Sequence, residues 1–163
     1  MQMMNTSLNN ETPLSIVTVS APKGVMSKQN VPYFLGISKN TAGAQEISMN
    51  LVVIPAGACA EPHYHEKFES GIYLLQGRVE TRYGEQLEHS VINEAGDFIF
   101  IPPYLLHQPF NLSETEEARA IIVRNDPNEC EAVVHASQES ARYTQDMLRR
   151  VSRESKQEAC AVA

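Results

Sequence analysis

Three of the five histidines in this 163-residue chain stand at spacings that let them meet. His63 and His65 are two apart, and on a β-strand residues i and i+2 project from the same face, so both imidazoles can reach one point. On a helix they would diverge by about 200°. Pro62 and the strand-then-turn context before it favour the extended reading. Glu69 adds a carboxylate once the chain has turned toward the next strand. His107 arrives from a distant segment, just after the stiff Pro102-Pro103 turn. Mixed imidazole and carboxylate ligation suits a borderline divalent cation: Fe, Mn, Ni, Zn or Cu. Such a cation with open coordination positions acts as a Lewis acid toward a carboxylate, enolate or carbonyl, and a redox metal can also activate dioxygen. No second acid/base pair marks a particular reaction, so no catalytic residue is assigned. His89 and His135, isolated among polar residues, read as surface histidines.

The elements that must position these side chains are mostly short strands. Ser15 to Val19 and Val31 to Gly36 are brief β-prone runs, bounded by Pro22, Pro32 and a loop at Asn40-Thr-Ala-Gly43. Ile47 to Ile54 is a longer apolar run ended by Pro55-Ala-Gly57, in which Met49, Leu51 and Val53 share a face. Ile72 to Leu75 leads through Gly77 into Arg78 to Tyr83, where Val79, Thr81 and Tyr83 alternate with charged residues in the period-2 pattern of a half-wet strand. Leu87 to Ile92, Phe98 to Ile101, Leu105 to Phe110 and Ala118 to Arg124 complete the series, and Arg124-Asn-Asp126 reads as a closing turn with its own salt bridge. Short strands divided by Gly and Pro turns indicate an all-β barrel or sandwich. From Ser137 to Ser155 there is no Gly or Pro, and Tyr143, Met147 and Val151 fall at i, i+4 and i+8. That pattern predicts a C-terminal helix with a narrow apolar stripe, docked on its own barrel or on a partner. The chain therefore divides into an N-terminal segment over 1–14, a barrel over 15–135, and a helix with a frayed tail over 136–163.

With these segments in view, the chain resembles the cupin superfamily, in particular its small single-domain members. The superfamily's paired motifs are Gly-x5-His-x-His-x3/4-Glu-x6-Gly and Gly-x5-Pro-x-Gly-x2-His-x3-Asn. Gly57, His63, His65, Glu69 and Gly77 fall on the first; Gly96, Pro102, His107 and Asn111 fall on the second. Gly57 to Asn111 is about a third of the chain. The resemblance implies a small antiparallel jelly-roll β-barrel, with a metal held inside by His63, His65, Glu69 and His107, and a homodimer as the assembly. It also implies oxygenase, isomerase or decarboxylase chemistry on a small molecule; a non-catalytic module that binds a small molecule or senses a metal is the alternative.

Two positions depart from the pattern. Seven residues, not six, separate Glu69 from Gly77, so counting back from Gly77 puts Ser70 in the ligand position. Glu69 keeps its spacing from His65 and is the expected fourth ligand; a three-histidine site is the alternative, with Glu66 a distant substitute. Tyr104 stands where the motif has Gly, and the prolines before it are expected to shape the turn without a positive φ. Tyr104 either roofs the cavity or lies half-exposed. Tyr73, sharing strand parity with Glu69, is a candidate for the pocket wall. Phe98 and Phe100 share one strand face and Ile99 and Ile101 the other; these four read mainly as core, with Phe98 and Phe100 also candidates for the pocket.

Composition narrows the partners. The formal net charge is −7 with acids and bases interspersed. Without a basic stripe, nucleic acid is not an expected partner, and an acidic surface has little affinity for anionic membranes. No apolar run approaches the ~20 residues of a membrane helix, and the polar start of the chain does not read as a secretory signal. Cys59, Cys130 and Cys160 form neither a disulfide framework nor a zinc ribbon. The expectation is a cytoplasmic protein whose partner is a small molecule.

Overall fold

The computed structural model describes residues 15–128 and 133–135. The C-terminal helix expected from Ser137, the N-terminal segment, and both Cys130 and Cys160 lie outside the described residues. The strands are β1 (Lys23–Met26), β2 (Pro32–Ile37), β3 (Ser48–Ile54), β4 (His63–His65), β5 (Ser70–Gln76), β6 (Arg78–Tyr83), β7 (His89–Glu94), β8 (Phe98–Ile101), β9 (His107–Asn111), β10 (Ala118–Arg124) and β11 (Val133–His135). They form two antiparallel sheets, in the order β1-β2-β3-β10-β5-β8 and β11-β4-β9-β6-β7. The fold is thus an all-β jelly roll, and among the described residues its one helix is a single turn, α1 (Lys39–Ala42). That turn occupies the expected Asn40–Gly43 loop. It is set by Ser38, whose buried hydroxyl accepts from the Thr41 N–H as an N-cap.

Several elements match their sequence bounds: β6, β8 and β10 coincide with the runs read from alternation. Others differ. Residues 15 to 19 form no strand, and β1 and β11 arise instead from Lys23–Met26 and Val133–His135. Both are short edge strands whose regular pairing comes from their neighbours β2 and β4. Neither carries enough apolar periodicity to announce itself.

The chain passes between sheets at Gly77, which joins β5 to β6 with φ 94°. A Cβ there would lie 2.8 Å from the Cβ of Ala118, so both the backbone twist and the close approach require glycine. The core fills the space between sheets with Val31, Tyr33, Val52, Ile54, Leu74, Val79 and the small Ala118 and Ala120. In β3 the inward residues are Asn50, Val52 and Ile54. The Met49, Leu51 and Val53 face turns away from the cavity, with Met49 41% exposed and Val53 buried at 6%. A smaller cluster of Tyr64, Tyr104 and Leu106 packs behind β4.

Candidate metal centre

His63 and His107 face each other directly across the β4–β9 pairing, and His65 follows two residues along β4 on the same face. Strand parity and register alone therefore gather three imidazoles. Their ring centroids are 4.3 Å apart for His63–His107, 5.1 Å for His63–His65 and 5.6 Å for His65–His107. All three side chains are buried, and their candidate ligand nitrogens lie within 4.8 Å of one another. Nitrogens bound in cis positions at about 2.1 Å from a cation stand ~3 Å apart, so modest ring rotations would close the set.

Protonation favours the same use. His63 Nδ1 lies 2.7 Å from the Glu61 carbonyl and His107 Nδ1 lies 2.8 Å from the Leu105 carbonyl. Each carbonyl accepts the Nδ1 proton and leaves Nε2 as the lone-pair nitrogen, the tautomer that a carbonyl partner fixes in metal-binding histidines. Burial, and then the neighbouring His63, push the His107 pKa down to about 3. Burial, followed by the charge of Arg124 and the other two histidines, holds His65 far below the ordinary histidine value. His65 and His107 are therefore neutral at pH 7.

Glu69 is the expected ligand that the structure does not bring to the site. Its side chain is exposed and its N–H donates to Asn125 Oδ1 at 2.8 Å. The turn between β4 and β5 includes Lys67 at φ 65°. Beyond it, Ser70, Ile72 and Leu74 face inward while Glu69, Gly71 and Tyr73 share the opposite parity. Ser70 is buried at 2% exposure and takes the place nearest the histidines on β5.

The same parity corrects the pocket. Tyr73 does share the parity of Glu69, but it is the outward one, and its ring stacks against Phe98 at 4.7 Å on the outer surface. Phe98 and Phe100 are 85% and 63% exposed, and Ile99 and Ile101 line the cavity instead. Alternation separated these two faces correctly, but both are apolar and period alone cannot say which turns in. Tyr104 is buried, at 6% exposure, yet belongs to the cluster behind β4. It adopts φ 63° itself, so the turn does use a left-handed residue, and its N–H donates to the His65 carbonyl at 2.9 Å. Packing of the ring offsets a backbone cost of roughly 1–3 kcal/mol. Gln108 points away from the histidines, donating to the Ala60 carbonyl. Cys59 is exposed and outside the cavity.

The residue that sequence reading missed is Arg124. Rather than closing a turn, it is 4% exposed and lines the cavity. Its Nε donates to Ser70 Oγ at 3.1 Å, and Nη2 donates to His65 Nε2 at 3.1 Å. A signal existed: Ala118, Ala120, Ile122 and Arg124 share one parity of β10, so the arginine terminates the face that three small or apolar residues define as inward.

The cavity between the sheets has an empty volume of about 790 Å³, its open mouth included. Val52, Ile54, Leu74, Val79 and Ile99 supply apolar wall, and its described lining holds no Asp or Glu. The three imidazoles fit a divalent cation in number, and the carbonyl partners of His63 and His107 fix the tautomer that offers Nε2. A neutral imidazole has one lone pair, so Arg124 must yield its hold on His65 Nε2 for that ring to join.

Two sheets closed over a histidine cluster define a jelly-roll barrel whose polar end can hold a metal ion. Residues 50–124 match the family model described as "Cupin domain", and the chain carries a cupin domain. Solved structures agree at the level of the fold. Oxalate decarboxylase from Lactobacillus farciminis, in its formate complex, is 23% identical with a TM-score of 0.60, over 70% of this chain and 33% of that one. The polyketide cyclase RemF from Streptomyces resistomycificus is 20% identical with a TM-score of 0.61, over 82% of this chain and 94% of that one. Oxalate decarboxylase from Bacillus subtilis, described with Mn(II) centres, is 20% identical with a TM-score of 0.59, over 69% of this chain and 29% of that one. The chain thus spans about a third of the length of the decarboxylases it matches. No curated protein matches the sequence. Among the described residues, no helix is long and apolar enough to cross a membrane.

Proposed function

We propose that the protein is a divalent-metal-dependent enzyme that acts on a small molecule held inside the barrel. His63, His65 and His107 would hold the metal as a three-histidine set, and Glu69 would take no part. The carrying observation is the convergence of three buried imidazoles, two of them held neutral by burial, at one end of a largely apolar cavity. A metal bound there would supply Lewis-acid or, for a redox ion such as Fe or Mn, dioxygen chemistry. The Mn(II) of the Bacillus subtilis decarboxylase makes manganese the first ion to try, with Fe, Zn and Ni beside it. The chain's own residues would bind and orient the substrate: the apolar walls exclude water from it, and Gln29, Ser70, Thr81, Arg119 and Arg124 are polar residues of the lining besides the histidines.

A cavity lined without a carboxylate also supports the second reading, a module that binds a small molecule without turnover. The outer face of the six-stranded sheet supports homodimer formation, since Tyr73, Phe98, Phe100 and Met49 leave it apolar where it meets solvent.

The test is elemental analysis of protein purified without chelators, followed by incubation of the Mn-, Fe- and Zn-loaded forms with a panel of organic acids. Mass spectrometry and an oxygen electrode follow the products. One metal per chain with metal-dependent consumption of a panel member is expected. Metal binding without turnover of any member moves the conclusion to the binding module, and failure to bind metal at all overturns the metal-dependent enzyme.

A further inference from the structure

The register of the six-stranded sheet sets its outward side chains in two rows. Gly24, Phe34, Leu51, Ile121, Tyr73 and Phe98 stand side by side across all six strands, from β1 to β8. Beside them run Ile37, Met49, Val123, Gly71 and Phe100, from β2 to β8. Neither row holds a charged residue, in a chain with 13 basic and 20 acidic ones. Phe98, Phe100, Met49, Gly24 and Gly71 are exposed, and the others are half-buried. Six strands, with seven residues each in β3, β5 and β10, make a face of roughly 650 Å² before side-chain relief is counted. A standard interface takes about 800 Å² of accessible surface from each partner, so the face is of the size a stable dimer needs. Apolar patches on that scale mark interaction sites.

We propose that this face packs on the same face of a second copy, with a two-fold axis running along the strands between β3 and β10. The proposal rests on the homodimer reading above and supplies its geometry. Sheets stacked face to face keep their strands nearly aligned, and an isologous contact needs a surface that complements itself. Rotation about that axis exchanges β3 with β10, β2 with β5 and β1 with β8. Ile121 then meets Leu51 of the second copy, Val123 meets Met49, and the Tyr73 ring meets that of Phe34. Phe98, the most exposed side chain of the face, meets Gly24. Ile37 meets Gly71, where a Cβ would touch nothing within 4 Å. A bulky side chain thus faces a glycine in each row. The lack of charge matters as well, because two chains of net charge −7 repel and approach most readily where neither presents an ion. The narrow stripe expected at Tyr143, Met147 and Val151 of the same chain matches one row at most, which favours the second copy as occupant.

Analytical ultracentrifugation of the full chain at micromolar concentration tests the arrangement. Wild type should sediment as a dimer. Phe98→Ser, at a side chain too exposed for the fold to need, should weaken association by about tenfold or more. Ile121→Lys and Leu51→Glu should each weaken it by about a hundredfold or more, because each sets a charge against an apolar side chain. Circular dichroism should stay native in all three. An equimolar mixture of the two charged variants should return to a dimer. The new ammonium there meets the new carboxylate on one side of the axis, and Ile121 still meets Leu51 on the other. Unchanged association in Phe98→Ser and in both charged variants overturns this face and leaves the homodimer reading standing. Monomeric single variants whose mixture stays monomeric overturn the axis, and the proposal with it. A monomeric wild type overturns the homodimer reading first.

Discussion

Lowering the pH should unfold the metal-free protein by an amount that the two depressed histidines set. His65 and His107 are neutral in the fold because burial opposes their charging, whereas in the unfolded chain both titrate near 6.5. Above that value neither form binds the proton and the pair has no effect. Below it the unfolded chain takes up protons that the fold refuses, so stability falls as pH falls, continuing until the folded value is reached, about 3 for His107. Each unit below 6.5 is worth about 1.4 kcal/mol per imidazole, so at pH 5 each costs about 2 kcal/mol and the pair about 4 kcal/mol. That is a large part of the 5–15 kcal/mol that holds a typical domain together. Urea denaturation of chelator-treated protein at pH 7 and pH 5 measures the loss. The comparison with His107→Gln isolates its cause, because every other titrating group is common to both proteins. The variant should lose about 2 kcal/mol less than wild type between the two pH values. Equal losses in the two proteins would refute the claim that His107 is held neutral by the fold.

Three further outcomes are expected. Zinc affinity of the folded wild type should stay within about fivefold between pH 8 and pH 6 by competition titration, since His65 and His107 have no proton to give up, where a site of three ordinary histidines would weaken by more than about tenfold. Glu69→Ala should leave zinc affinity within about twofold of wild type, while His63→Ala should abolish stoichiometric uptake; loss of binding in the glutamate variant would return it to the metal. Tyr104→Gly should relieve the positive φ yet destabilise the fold by about 1–3 kcal/mol in a denaturation midpoint, because the lost buried ring outweighs the backbone relief.

The histidine centre was legible in the sequence because it depends on two simple rules, same-face projection at i and i+2 and a second segment carrying His107 after a stiff turn. The fourth position was not. A forward count from His65 and a backward count from Gly77 disagree by one residue, and one residue inverts a strand's faces, which is the whole difference between an exposed Glu69 and a buried Ser70. Phe98 and Phe100 show the complementary failure. Alternation is unambiguous there, but a strand apolar on both faces hides its inward side until the partner strands are known. Arg124 was hidden by its address at a strand end, where a charged residue reads as the start of a turn.

Asn111 has a bearing on all of this that lies outside the chemistry. Its side-chain amide donates to the carbonyls of Ile54, Pro55 and Glu116, clamping the far end of β9 to two other parts of the chain. His107, four residues earlier on the same strand, meets His63 only in that alignment. A slip of β9 by a single residue would keep the sheet while turning His107 to the opposite face. Metal uptake by refolded protein is therefore a count of correctly threaded molecules: a stoichiometry below one would measure misaligned β9 strands in chains whose circular dichroism is already native.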